Sequence, residues 1–338
     1  FAVLLGSTVL STFGLILALI LIQPQRLVLH PPHGFAAYEA PMTEEERAHA
    51  IYLQDQLGWA PFDAKGRLGM WQTPIDSAKE QILVFGDSVM YAWGVLEEQT
   101  TAAQLDALLP DHQVVNLAVS GWSIDQYYLY LRETLDKTRA KVVVVGLFVG
   151  NDFQVSARGY GWGHSKPVFR VADGKLIHQN PGLSANNCID TMAQSLLFKP
   201  FWHHKIFAQK VLKMVCAAED QPLDQAEETI AALVEGIATT AENQGASVLF
   251  LLLPDINDYP HVGRYHYRQL VSFYPFFRKL MREKAYDFID VADIVAASAE
   301  EMQSDLFVDQ DHYTPEGHRR VAQRLATFIK SKYLANAE

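Results

Sequence analysis

The sequence predicts an α/β fold in which helices cover both faces of a five-stranded parallel β-sheet, a three-layer α/β/α sandwich. From Ile82 onward, short apolar strands alternate with helical segments, as in parallel sheets whose strands are joined by right-handed crossovers. The apolar run KVVVVGLFV at 141–149 is typical of a central strand that is buried on both faces. With 338 residues, the chain is long enough for one large domain with extensions.

Each predicted element has a local signal. The strands are short apolar runs, and the helices carry apolar residues at helical spacing. The last helix has the clearest signal, because Thr314 can cap it and Pro315 suits its first position. We predict strands at 82–85, 113–117, 141–149, 247–253 and 288–291, and helices at 100–109, 123–137, 225–243, 264–284 and 315–333.

The first 23 residues are apolar and carry no charge, which predicts a transmembrane helix. About 20 such residues cross the ~30 Å hydrocarbon layer of a bilayer. A cleavable signal peptide is the alternative, but Gln-Pro-Gln-Arg follows where a small-residue cleavage site belongs. Arg26 and the acidic residues after it favour a periplasmic or other extracytoplasmic location for the rest of the chain. We predict an anchor at 1–23, a linker and extension at 24–80, and an α/β domain at 81–335.

Composition and spacing limit the partners of the chain. Its net charge is −11 and it has no basic run, so nucleic acid is excluded as a partner. Small residues share one face of the predicted span, where another transmembrane helix can pack; chance scatter is the alternative reading. These residues are Ser7, Ser11, Gly14 and Ala18.

An insertion at about 153–223 interrupts the alternation of strands and helices. It is long for a loop, so we expect it to carry its own structure or to form a lid. It contains Cys188 and Cys216, which match no metal-binding spacing and form either one disulfide or two thiols. The adjacent His203 and His204 lack a third ligand nearby, so no metal site is predicted there.

Polar residues follow all five predicted strands. The carboxyl ends of parallel strands lie at one edge of the sheet, and ligands bind in the crevice outside that edge. A serine, an asparagine, glycines, acidic residues and a histidine are therefore expected close together. In strand order these are Asp87 and Ser88; Ser120 and Gly121; Gly150, Asn151 and Asp152; Asp255 and Asn257; and Asp309, Asp311 and His312.

This set contains the groups that ester hydrolysis needs, namely a nucleophile, a base and donors for an oxyanion. We assign Ser88 as nucleophile and His312 as base. Asp309 lies three residues before His312 and can turn back to orient the imidazole. The predicted oxyanion donors are the backbone N–H groups of Ser88 and Gly121 and the side-chain amide of Asn151, because a glycine lets its backbone approach a ligand closely.

Together these residues resemble the SGNH hydrolases, also called the GDSL lipase and esterase family. Four blocks carry the resemblance: Gly-Asp-Ser at 86–88, Gly121 within NLAVSGWSIDQ, Asn-Asp at 151–152, and Asp-x-x-His at 309–312 followed by Pro-x-Gly-His. The resemblance implies a flavodoxin-like sandwich, a Ser-His-Asp triad, and neither a metal nor an organic cofactor. Two features depart from the usual pattern of the family. The first block reads GDSVM where the family has GDSL, and Gly150 directly precedes Asn151 where the family has its glycine two places before the asparagine. These departures leave the subfamily open.

The sequence thus predicts a membrane-anchored serine esterase, a carboxylic ester hydrolase with acyl transfer as an alternative. Anchored members of the family look like enzymes acting on acyl groups of envelope glycans or lipids, and this substrate class is an analogy. A different interpretation is an accessory subunit of a membrane complex whose triad is idle or has an unrelated use. A glycan-binding module on the same fold is a third interpretation.

Overall fold

The computed structural model of the protein describes Leu57 and residues 75–161, 164–179, 221–255, 273–297, 304–309 and 311–335. Several predictions fall outside these residues: the anchor at 1–23 with its stripe of small residues, and the cysteine and histidine pairs of the insertion. Within the described ranges, no helix is both long and apolar enough to cross a membrane.

Helices and short strands alternate along the described chain. The strands are β1 (Gln81–Phe85), β2 (Gln113–Asn116), β3 (Ala140–Phe148), β4 (Tyr160–Gly161), β5 (His164–Ser165), β6 (Phe169–Ala172), β7 (Lys175–His178), β8 (Ser247–Leu253) and β9 (Phe288–Asp290). The helices are α1 (Ser88–Tyr91), α2 (Thr101–Leu108), α3 (Ile124–Thr134), α4 (Asp152–Ser156), α5 (Leu223–Asn243), α6 (Tyr274–Glu283), α7 (Val291–Ala296) and α8 (Pro315–Ile329).

Five of the strands form one parallel sheet in the order β2-β1-β3-β8-β9, which confirms the predicted sheet. The apolar run at 141–149 supplies β3, which is paired on both sides and lies at the centre. After β1 the chain moves to one side of the sheet to form β2, and then returns to the other side to form β3. The carboxyl end of β1 is therefore the topological switch point, where sheets of this kind form a crevice.

The two faces of the sheet are covered by different helices. Side chains alternate along each strand, so Leu83 and Phe85 of β1 face α3 and α5, whereas Ile82 and Val84 face α2 and α8. Phe277 of α6 joins the first core, and α7 adds to the second. This arrangement gives the three layers that the sequence predicts.

The structure adds elements that the sequence pattern did not predict. The short helices α1, α4 and α7 have fewer than seven residues each, too few to show a helical period. Two antiparallel hairpins, β4-β5 and β6-β7, occupy the described start of the insertion. The predicted helix at 264–284 is described only from Tyr274, and the last helix ends at Ile329 before a π-helical turn at Lys330–Leu334.

Candidate active site

A sharp turn after β1 presents the candidate nucleophile. The strand ends at Phe85, and α1 begins at Ser88 after only two residues. The turn is tight because Met90 of α1 packs directly over Gly86 and over Gly146 of β3. A Cβ atom on Gly86 would lie 2.6 Å from side-chain carbons of Met90, and one on Gly146 would overlap the same side chain. These two glycines allow α1 to sit against the end of the sheet.

A chain of hydrogen bonds joins Ser88, His312 and Asp309. The Oγ hydroxyl of Ser88 donates to Nε2 of His312 at 2.8 Å. The Nδ1–H of His312 donates to the carboxylate of Asp309, 2.9 Å from Oδ2 and 3.0 Å from Oδ1. This arrangement fixes the tautomer that leaves Nε2 free to accept a proton. The structure thus brings the three residues together, although they come from opposite ends of the domain.

The loop that carries Asp309 and His312 folds around the Asp309 carboxylate. Its Oδ1 accepts the backbone N–H groups of Asp311 and His312, both at 2.8 Å. The base of the loop is closed by a hydrogen bond from Val308 N–H to the His312 carbonyl at 2.8 Å. Asp309 therefore holds both the imidazole and the backbone of its own turn.

The electrostatics of this pair suit proton transfer. Partial burial raises the pKa of Asp309, but hydrogen bonds from His312 and from two backbone N–H groups outweigh it and lower the pKa to about 2. Burial lowers the pKa of His312, but the hydrogen bond and charge of Asp309 raise it above its usual value. The charges of Asp87 and Asp311 act in the same direction. Asp309 therefore stays ionised at neutral pH and favours a protonated imidazole.

Asn151 is tied to the nucleophile turn through a buried carboxylate. Its Nδ2–H donates to Oδ2 of Asp87 at 3.2 Å, and Oδ1 of Asp87 accepts the backbone N–H of Val89 at 2.9 Å. Asp87 is fully buried, and this burial raises its pKa despite those hydrogen bonds. The predicted amide donor is thereby oriented at the first turn of α1.

Gly121 follows β2 at the same edge of the sheet. The N–H of Val119 donates to the carbonyl of Gly86 at 2.9 Å, so the loop after β2 is bonded to the nucleophile turn. Gly121 has a φ of 82°, a left-handed conformation that favours glycine. Its position at this edge is as expected, and its role as an oxyanion donor stays a prediction.

A family model described as the GDSL-like Lipase/Acylhydrolase family matches residues 84–320. This range contains all four sequence blocks, from Gly86 to the histidine of Pro-x-Gly-His. The chain belongs to this family. Its members are classed as hydrolases of lipids and acyl groups, and no curated protein sequence matches the chain.

Several solved structures are similar to this GDSL-like hydrolase at low sequence identity. The structure named TesA is 16% identical, covers 75% of this chain and 99% of its own, and has a TM-score of 0.44. The esterase EstA from Pseudoalteromonas sp. is 14% identical over 76% of this chain and 100% of its own, with a TM-score of 0.41. The acetyl xylan esterase AlAXEase is 14% identical over 74% and 99%, with a TM-score of 0.43.

The second residue of the Asn-Asp block has a structural role in this GDSL-like hydrolase. Asp152 is fully buried, accepts the Phe148 N–H at 2.9 Å, and accepts the Tyr127 hydroxyl at 2.9 Å. Burial, together with the charge of Asp87, raises its pKa well above the usual range. Asp152 therefore holds the end of β3 against α3. The sequence showed only that a polar residue follows a buried strand.

The histidine of Pro-x-Gly-His is also structural. His318 lies in the first turn of α8, is buried, and pairs through Nδ1 with the Thr101 hydroxyl of α2 at 2.8 Å. Burial lowers its pKa to about 3, so it is neutral at physiological pH. It joins two helices on one face of the sheet.

Proposed function

We propose that this family member is a serine esterase that uses Ser88, His312 and Asp309 as its catalytic triad. The observation that carries the proposal is the continuous hydrogen-bond chain from the Ser88 hydroxyl through both nitrogens of His312 to Asp309. Nucleophile, base and orienting carboxylate are already at hydrogen-bond distance, which is the geometry that activates a serine.

In the proposed reaction, His312 Nε2 takes the Ser88 proton as Oγ attacks the ester carbonyl. The resulting oxyanion is held by the backbone N–H groups of Ser88 and Gly121 and by the amide of Asn151. The imidazolium, stabilised by Asp309, then returns its proton to the leaving alcohol, and an acyl-enzyme remains. Water releases the acyl group as an acid, whereas a second alcohol would receive it by transfer.

Apolar side chains border the proposed triad and support an acyl group as the substrate moiety. Trp93, two residues after α1, is 36% exposed, and Val308, next to Asp309, is 52% exposed. The two segments adjoin, since a Cβ on Gly94 would lie 3.9 Å from a methyl group of Val308. An apolar rim of this kind suits the acyl half of an ester.

The location of the substrate is part of the same proposal. The uncharged segment 1–23 supports an N-terminal anchor, and the charges after it support an extracytoplasmic domain. We therefore propose acylated glycans or lipids of the cell envelope as substrates. The stripe of small residues in this segment supports packing against another membrane protein.

A fluorophosphonate probe tests the proposal directly, because it labels only an activated serine. We expect the detergent-solubilised wild type to be labelled and Ser88→Ala to be unlabelled. Hydrolysis of p-nitrophenyl acetate should fall at least about 10³-fold in Ser88→Ala. Ser331→Ala, which changes an exposed serine of the C-terminal turn, should behave as wild type. Folded wild type that takes no label would instead support the accessory-subunit interpretation, whereas equal labelling of Ser88→Ala would show that Ser88 is not the activated serine.

A further inference from the structure

One buried tyrosine hydroxyl lies between two loops at the carboxyl edge of the sheet, and the proposed triad does not use it. Tyr127 is near the start of α3 and is only 1% exposed. Its hydroxyl is 3.2 Å from the carbonyl oxygen of Trp122 and 2.9 Å from Oδ1 of Asp152. Trp122 is the neighbour of Gly121 in the chain, and Asp152 is the neighbour of Asn151. The hydroxyl therefore joins the two loops that carry predicted oxyanion donors.

The loop after β2 is a β-turn that is held at both ends. The Trp122 N–H donates to the Val119 carbonyl at 3.1 Å, which makes Gly121 the third residue of the turn. Its φ of 82° suits the third position of a type II turn. At the entrance, the Val119 N–H is bonded to the carbonyl of Gly86, and at the exit the Trp122 carbonyl is bonded to Tyr127. The position of the Gly121 N–H depends on both attachments.

The loop after β3 is closed by the side chain of Asp152. Oδ2 of Asp152 accepts the Phe148 N–H at 2.9 Å, and the Asn151 N–H donates to the Phe148 carbonyl at 3.4 Å. The other oxygen, Oδ1, is the one that contacts the Tyr127 hydroxyl. The carboxyl group thus holds the turn of Asn151 on one side and α3 on the other.

The double contact of Tyr127 exceeds what a buried hydroxyl needs. A single partner is enough to satisfy such a group, and Tyr127 has one in each loop. The ring of Trp122 is held separately, because it packs edge-on against Tyr130 with 5.4 Å between the ring centroids. The loop therefore has an apolar anchor of its own, and the tyrosine hydroxyl acts on the backbone that leads out of the Gly121 turn.

We propose that Tyr127 is a positioning residue for the oxyanion hole, because its hydroxyl fixes the turn of Gly121 relative to the turn of Asn151. The inference rests on the proposed function, since an oxyanion forms only if Ser88 attacks an ester. Tyr127 acts through the backbone N–H of Gly121 and the side-chain amide of Asn151. Donors that are fixed in advance stabilise the developing charge without reorganising at the moment of reaction.

Tyr127→Phe tests the proposal, because it removes the hydroxyl and keeps the ring. The oxyanion is absent from the ground state, so the loss should appear in kcat and not in KM. We expect kcat for p-nitrophenyl acetate to fall at least about tenfold, because small misplacements of reacting groups cost up to ~10²-fold. KM should stay within about twofold of wild type. Rates are expressed per Ser88 labelled to completion by the fluorophosphonate probe, so that misfolded molecules do not count.

Tyr333→Phe is the matched control. The Tyr333 hydroxyl also lies between a backbone carbonyl, that of Val248 at 3.0 Å, and a carboxylate, Oδ2 of Asp287 at 2.7 Å, but at the start of β8 on the opposite edge of the sheet. Its kcat should stay within about twofold of wild type. Phenylboronic acid, which forms a tetrahedral adduct with an activated serine, should inhibit Tyr127→Phe at least about tenfold more weakly and Tyr333→Phe as it does wild type.

Two variants of Asp152 test the same bridge with Tyr127 left in place. In Asp152→Asn, the amide oxygen can accept the Phe148 N–H while the NH₂ group donates to the Tyr127 hydroxyl, which keeps its hydrogen for the Trp122 carbonyl. Asp152→Ala removes both bonds. We expect kcat of Asp152→Asn to exceed that of Asp152→Ala at least about fivefold at similar KM. Equal values in the two variants overturn the bridge.

The outcomes also separate this proposal from the proposed function. Ser88-dependent hydrolysis with a wild-type kcat in Tyr127→Phe, or with an equal fall in Tyr333→Phe, overturns the role of Tyr127 and leaves the esterase assignment intact. A change confined to KM overturns it as well. Folded wild type that neither hydrolyses the ester nor takes the label rejects the assignment and, with it, the role of Tyr127.

Discussion

Asp87 connects the candidate nucleophile to a candidate oxyanion donor. One of its oxygens caps α1 through Val89 and the other accepts the amide of Asn151. Asp87→Asn replaces one of these two oxygens by an NH₂ group, which cannot accept a hydrogen bond. Either the Val89 N–H or the Asn151 amide would therefore lose its acceptor. We expect the amide of Asn151 to be misplaced and kcat for p-nitrophenyl acetate to fall about 10²–10³-fold, the usual effect of losing one oxyanion donor. KM should change little, because the ground state is bound elsewhere.

A double-mutant cycle distinguishes this effect from general disruption. If Asp87 acts through Asn151, then Asp87→Asn combined with Asn151→Ala should be no slower than Asn151→Ala alone. Losses that multiply would mean that the two residues act independently. Circular dichroism and Tm of each variant serve as the control for folding.

At the scale of single residues, the sequence predicted the candidate catalytic groups but not the hydrogen bond between Asp87 and Asn151. Ser88, His312 and Asp309 were predicted because each falls in a short local motif. The bond between Asp87 and Asn151 joins residues 64 positions apart, and no local pattern indicates it.

At the scale of elements, α8 packs directly on the loop of the proposed triad. A Cβ on Gly317 would lie 2.5 Å from the Leu306 carbonyl oxygen and 2.9 Å from the Cβ of Tyr313. Gly317→Ala should therefore lower the free energy of unfolding by about 1–3 kcal/mol, because backbone must move to admit the methyl group. Ester hydrolysis should also fall, since the displaced segment leads to His312.

Urea unfolding of Gly317→Ala provides the measurement, and Gln323→Ala is the matched control. Gln323 is exposed on the same helix, so its replacement should change stability by no more than about 0.5 kcal/mol. A Gly317→Ala variant as stable as this control would mean that α8 does not press on the loop.

Prediction of the elements succeeded where the pattern is long or strongly apolar. The predicted strand at 247–253 agrees with β8, and the other four agree within one residue at either end. The order of the strands does not follow from local pattern, since it depends on which crossover packs on which face. The hairpins β4-β5 and β6-β7 have two to four residues per strand, which is too short for an alternating pattern to be distinctive.

At the scale of the molecule, a buried ion pair attaches the start of the insertion to the sandwich. Lys166, between β5 and β6, is bonded to Asp125 of α3, and both side chains are almost fully buried. Asp125 also accepts the hydroxyl of Ser123 at 2.8 Å, and Lys166 donates to the carbonyl of Arg158 at 3.1 Å. Breaking such a pair leaves an uncompensated charge in the interior, which costs more than the pair itself contributes.

Lys166→Met should therefore lower the free energy of unfolding by about 3–5 kcal/mol. Adding Asp125→Asn should recover part of the loss, because the amide is neutral and its oxygen still accepts from Ser123. Lys284→Met breaks an exposed pair with Glu235 and should cost less than about 1 kcal/mol. Urea unfolding of these three variants and of the wild type measures these differences. Equal losses in Lys166→Met and Lys284→Met would show that the start of the insertion is not held by this buried charge, and that its position depends on apolar contacts alone.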